Sequence, residues 1–176
     1  MGLVLAGGFV AMRASAAPQP PVCAVQQAER VAIAEVLGGG ALRLTDGRKV
    51  LLSGIDAPRL DARDGPAPFA AEAKAALARL VEGRSVTLGG AGKPSKSGWL
   101  RAQLFAGSGV WVQGELVSNG FARVRTFPDQ RDCAGQLLAR EAKARTSKKG
   151  LWAMPDYAIR SSDNAGKSSG KFGLVE

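Results

Sequence analysis

The sequence predicts an α+β fold, a five-stranded β-barrel carrying about three helices. Three observations predict it. Residues Arg30–Leu52 read as a three-strand meander, an apolar helical stripe begins at Phe69, and two further strands precede two later helices.

The first strand is Arg30–Leu37, with β-branched Val31 and Ile33 at alternate positions. Gly38-Gly39-Gly40 breaks it, and Ala41–Thr45 forms the second strand. Asp46-Gly47 marks a tight hairpin, because both residue types tolerate positive φ. Lys49–Leu52 returns as the third strand, and Arg59–Pro68 is a loop rich in Asp, Arg, Gly and Pro. From Phe69 a helix places Phe69, Ala73, Leu77 and Leu80 on one face, and Gly83 ends it. Ser85–Leu88 and Leu100–Phe105 alternate as strands around a Gly89–Gly98 loop. Val112–Asn119 is a short helix stopped by Gly120, and Ala122–Arg125 is a short extended piece. Asp132 is placed to cap a long helix running to Lys149, with Leu137, Leu138 and Ala142 inward. Trp111 and Trp152 lie beside helix boundaries and read as core. This order is that of an OB-fold barrel, spanning residues 29–157 after an 18–28 lead.

Composition narrows the function. Lys and Arg total 24 against 15 Asp and Glu, a net charge of +9 that favours polyanionic partners. The absence of histidine removes imidazole bases and imidazole metal ligands together. Any metal here would be a hard cation held by carboxylates. Leu3–Met12 is apolar but too short to span a bilayer, and Ala14-Ser15-Ala16 has the form of an export cleavage site. Residues 1–17 therefore read as a signal peptide, with Arg13 after its apolar stretch instead of before it. Export to the periplasm or medium would favour a disulfide between Cys23 and Cys133, the two cysteines of the chain. Closing a loop of about 110 residues is worth up to about 4.7 kcal/mol in the chain-entropy model.

Several segments together carry a family resemblance. They are Asp46-Gly47-Arg48, Leu52-Ser53-Gly54-Ile55-Asp56-Ala57-Pro58, Phe69-Ala70-Ala71-Glu72-Ala73, Gly114–Val124, Glu141–Arg145 and Gly150-Leu151-Trp152. In this order and spacing the chain resembles the thermonuclease family of staphylococcal-nuclease-like domains. That resemblance implies hydrolysis of DNA and RNA phosphodiesters. Two carboxylates hold Ca2+, a third activates water, and two arginines stabilise charge on the phosphate. Carried over residue by residue, the first metal aspartate falls on Gly40 and the first arginine on Leu51. The second metal aspartate is kept as Asp56. The general-base glutamate falls on Arg59, and the second arginine falls on Trp99.

The expectation is a catalytically degenerate, exported domain that binds nucleic acid, another polyanion or an envelope protein. It is expected to be a monomer with no transmembrane span and no cofactor. The alternative is an active nuclease needing Ca2+, with Asp56 as metal and catalytic residue, Arg101 as charge stabiliser, and Asp61 or Asp64 swinging in. A structural role for Asp56 is to cap backbone N–H groups of its turn. Lys93, Lys96, Trp99 and Arg101 form a basic-plus-aromatic group suited to single-stranded nucleic acid. Trp99 reads first as ordinary packing at the rim, with base stacking as the other reading. The run Arg140, Lys143, Arg145, Lys148, Lys149 reads as a solvated helix face with secondary attraction for polyanions. Residues 158–176 read as a flexible tail, resembling linkers that lead into a second β domain in longer proteins.

Overall fold

The computed structural model describes residues 23, 25, 27–63, 65–126, 131 and 133–155. The expected signal peptide, the 158–176 tail, Asp64 and Asp132 lie outside the described residues.

The barrel is built from β1 (Glu29–Val31), β2 (Ile33–Gly38), β3 (Ala41–Leu44), β4 (Lys49–Leu52), β6 (Val86–Gly89) and β7 (Trp99–Ala106). Its sheet runs β1-β6-β7-β4-β3-β2. Only Ala32 separates β1 from β2. One strand thus bends at Ala32, pairs with β6 through its first half and with β3 through its second, and closes a five-stranded ring. Closure removes the exposed sheet edges. The single Arg30–Leu37 strand expected from sequence is thus bent. It also slips register between Ile33 and Glu35 and between Val36 and Gly38, a bulge pattern that permits the sharp turn. The Asp46-Gly47 hairpin forms as expected. Gly47 takes φ 89°, and Asp46 Oδ1 accepts the Arg48 N–H at 3.0 Å.

Leu42, Leu44, Val50, Leu52, Leu88, Ala102 and Leu104 fill the barrel interior and are at most 2% exposed. Each fully buried leucine contributes roughly 1.5–3 kcal/mol of hydrophobic stabilisation. Helix α1 (Ala70–Val81) lies against β2 through Ala73, Ala76, Leu77 and Val81. Phe69 is its N-cap at φ 68°, one position before the helix, and its ring stacks on Phe121 at 6.2 Å. Gly39 makes the approach possible, because a Cβ there would lie 3.0 Å from the Ala57 Cβ and overlap Ala73. The glycine turn after β2 is thereby pressed onto α1.

After β8 (Val110–Trp111), helix α2 (Val112–Ser118) is locked to β7 by Gln113, which is fully buried. Its amide donates to Ala102 O at 3.0 Å and accepts from Leu104 N–H at 3.1 Å. Trp111 Nε1 donates to Gln103 Oε1 at 2.9 Å. Trp111 and Trp152 are core, as expected.

Helix α3 (Ala134–Thr146) buries Leu137 as expected but not Leu138 or Ala142, and it ends short of the expected Lys149. Leu137, Glu141 and Ala144 are buried, whereas Leu138 is 52% exposed and Ala142 faces solvent. The cause is Glu141, whose carboxylate accepts the Val124 N–H at 2.8 Å and so fixes the helix phase. Cys133, not Asp132, is the N-cap residue. It is joined to Cys23 by the expected disulfide, with the Cα atoms 5.3 Å apart. A short 3-10 turn, Gly150–Ala153, packs back on the domain. Among the described residues no helix is long and apolar enough to cross a membrane.

Candidate functional site

Strands β4 and β7 run parallel, setting Lys49 opposite Trp99 and Leu51 opposite Arg101. Val50, Leu52, Leu100 and Ala102 point inward, so strand alternation turns Lys49, Leu51, Trp99 and Arg101 to the outer surface. Lys49 Nζ lies 5.7 Å from the Trp99 ring centroid, within cation–π range. The Gly38–Ala41 turn and the segment after Leu52 complete a cleft of ≈ 340 Å3 over this surface. Gly40, Leu51, Asp56, Arg59 and Trp99 all line it, together with Arg101. The five positions carried over from the nuclease resemblance therefore converge on one cleft.

Asp56 belongs to β5 (Ile55–Asp56), which pairs antiparallel with β9 (Arg123–Val124) and sets Arg123 directly opposite it. Directly opposed residues share a face, so the side chains meet. Arg123 Nη2 donates to Asp56 Oδ2 at 2.9 Å and Nε at 3.3 Å. Arg125, two residues on and hence on the same side, brings Nη1 to 3.7 Å from the same oxygen. The Asp56 side chain is only 13% exposed. Burial pushes its carboxyl above the usual carboxylate range, against the opposing pull of Arg123, Arg125 and Arg59. The cleft floor is thus poorly solvated.

Arg59 grips Asp61 through two parallel hydrogen bonds, both 3.0 Å. These hold the Asp61 carboxyl below its ordinary range. Among the described residues no group of three or more His, Cys, Asp or Glu side chains is arranged to hold a metal. Lys93 and Lys96 stand exposed on the 90–98 loop and do not line the cleft, whereas Trp99 and Arg101 do. That loop is tied to β7 where Ser95 N–H donates to Trp99 O at 2.8 Å and Ser95 Oγ accepts the Trp99 N–H at 3.1 Å.

Sequence reasoning missed Lys49, Arg123 and Arg125. Lys49 was illegible, since only the parallel β4–β7 register brings it to Trp99. The two arginines left a signal, because Arg123-Val124-Arg125 alternates at the period of a strand.

The sequence model of the family described as "Staphylococcal nuclease homologue" matches residues 49–154. The chain belongs to this family. A relative from Oryza sativa subsp. japonica, described as "Probable staphylococcal-like nuclease CAN1", is 32% identical over 105 residues. The match covers 60% of this chain and 29% of that relative, so the chain spans under a third of its length. The span matched to the staphylococcal nuclease homologues begins at Lys49. It therefore excludes the Gly38–Gly40 turn, where the resemblance places the first metal ligand, although β1 to β3 complete the barrel.

Proposed function

We infer that this domain binds nucleic acid or a comparable polyanion in the Trp99 cleft and does not hydrolyse it by the metal-assisted route of its family. One observation carries the reading: the retained carboxylate, Asp56, is engaged by Arg123 and flanked by Arg125. A cation bound there would have to displace a guanidinium of like charge. The remaining donor set does not fit Ca2+ either, which takes six to eight oxygens. Gly40 and Ala57 offer no side-chain oxygen, and Arg59 stands where the resemblance places the base. Arg59, Arg101 and Arg125 line the cleft and Lys49 lies against Trp99 at its rim, a basic lining that suits an anion. Trp99 supplies a flat apolar face at the rim, on which a base can stack.

The test is nuclease activity of the purified protein on plasmid and single-stranded DNA with Ca2+, Mg2+, Mn2+ or EDTA, beside an Asp56→Ala variant prepared identically. The expected result is no cutting above the variant's background in any metal, with salt-sensitive DNA binding retained in EDTA. Metal-dependent cutting abolished by Asp56→Ala would establish the active-nuclease alternative, with Arg101 as charge stabiliser. Absence of polyanion binding would redirect the function to a protein partner. We also place the domain in the periplasm or outside the cell. The Cys23–Cys133 bridge and the export-like residues 1–17 support this.

A further inference from the structure

A second basic cleft lies between α2 and α3, lined by Ser118, Arg140, Lys143, Ser147 and Lys149, with a volume of ≈ 200 Å3. None of these residues lines the barrel cleft. Arg140, Lys143 and Ser147 fall at i, i+3 and i+7, one face of α3, and Ser118 closes α2 opposite them. Arg140 is held in place from three sides. Its Nη1 donates to Ser118 Oγ at 3.2 Å, and its guanidinium lies 5.6 Å over the Trp111 ring. It also fits where Gly114 leaves room, since a Cβ there would sit 3.2 Å from Arg140 Cζ. The Lys149 backbone is fixed as well, with its N–H donating to Ala144 O at 3.0 Å. Gly120 packs so closely beneath it that any side chain at that glycine would strike the Lys149 carbonyl.

The charge balance points to an anion. Among the described residues the carboxylate near the group is Glu115, 3.8 Å from Arg140 Nη1, at the outer edge of ion-pair range. The carboxyl ends of α2 and α3 each add roughly half a negative charge. Three cations against Glu115 and two helix ends leave a surplus of about one positive charge, which matches one phosphodiester. An arginine fork, two ammonium groups and two hydroxyls are the donor types such a group takes.

We propose that the α2–α3 cleft is a second phosphate site, which grips the sugar-phosphate backbone of a nucleic-acid strand at one phosphodiester. It rests on the reading that the domain binds nucleic acid, but it stands on residues other than those of the barrel cleft. The probe is a single-stranded thymidine oligomer, with affinity measured against salt by fluorescence anisotropy. The variants are Lys143→Gln/Lys149→Gln, both at exposed positions, and a charge-matched control, Arg79→Gln/Arg84→Gln, on the far end of α1. For single strands each lost contact removes about 0.7 from the slope of log affinity against log salt. Because the cleft holds one phosphodiester, the α3 pair should lower the slope by about 0.7, while the control leaves it near the wild-type value. Equal losses in both variants, an unchanged slope in the α3 variant, or no oligomer binding by the wild type at low salt would each overturn the site. Inorganic phosphate titrated into labelled protein should move the amide resonances of Ser118 and Ser147 in the wild type and not in the α3 variant. Binding to phosphatidylglycerol vesicles but not to the oligomer would assign the cleft to lipid headgroups and overturn the nucleic-acid source.

Discussion

Asp56→Asn should strengthen polyanion binding, the opposite of what the same change does to a metal-ligand aspartate. The substitution removes one negative charge from the floor of a cleft whose other charged lining residues are Arg59, Asp61, Arg101 and Arg125. For a phosphate about 6 Å away, the charge–charge energy is about 0.7 kcal/mol at the dielectric of water and about 3 kcal/mol at an effective dielectric of 20. The partly solvated cleft lies between, so removal should favour binding by about 1–2 kcal/mol, or about 5- to 30-fold. The amide can still accept from Arg123, so the β5–β9 link should persist. Burial already disfavours the ionised carboxyl, and Arg123 and Arg125 are 26% and 32% exposed and so remain solvated, so stability should change little. The assay is oligonucleotide anisotropy in EDTA at fixed salt, with thermal unfolding run alongside to confirm that the variant is folded. An affinity in the folded variant that is unchanged or weaker would refute the anion-cleft reasoning. So would an affinity that rises with Ca2+ in the wild type and not in Asp56→Asn.

Acidification should act in the same direction as that substitution. The Asp56 pKa is raised in the folded state, chiefly by burial, so the native protein holds this proton more tightly than the unfolded chain. Its ionisation therefore costs stability above the folded value, and that cost disappears as pH falls through it towards the unfolded value. Oligomer affinity should rise as pH is lowered through this window, and Asp56→Asn should flatten the rise; parallel profiles would disprove the assignment. Trp99→Ala should weaken single-stranded DNA by about 1–3 kcal/mol while leaving a baseless polyphosphate nearly unaffected. Equal losses for both ligands in competition binding would show that Trp99 only packs. Replacing both Cys23 and Cys133 by serine should cost about 2–4 kcal/mol in denaturant unfolding. A loss below about 0.5 kcal/mol would mean that the covalent link contributes little beyond the contacts around it.

The barrel was legible because its signals are local. Alternation in β3, β4 and β7, the Asp46-Gly47 turn and the α1 stripe each lie within one short window. The bend at Ala32 was not legible, because nothing in Val31-Ala32-Ile33 marks it. It arises when one strand must serve two neighbours, β6 and β3, at opposite ends of the sheet. The phase of α3 was misread for a similar reason. A charge at position 141 reads as outward, and only the Val124 N–H on another element explains its burial. At the site, the five positions carried over from the resemblance come together in one cleft, but Arg123, which pairs with Asp56, lies 67 residues away in sequence.

The Asp56–Arg123 pair gives this aspartate a role in the fold besides any it has in the cleft. Asp56 is buried, and removing a partner from a buried pair leaves an uncompensated charge. Arg123 lies on β9 and Arg125 directly follows it, and β9 is held from its other side by Glu141 of α3 through Val124. α3 in turn begins at Cys133, which the disulfide ties to Cys23. A single chain of contacts thus runs from the N-terminal cysteine through α3 and β9 to the cleft floor. Asp56 has a structural reason to stay an acid whatever the cleft binds, so its presence alone carries no argument for catalysis. The residues that bear on catalysis are Gly40, Leu51, Arg59 and Trp99. They line the same cleft, and none of them carries the side chain that the resemblance places at its position.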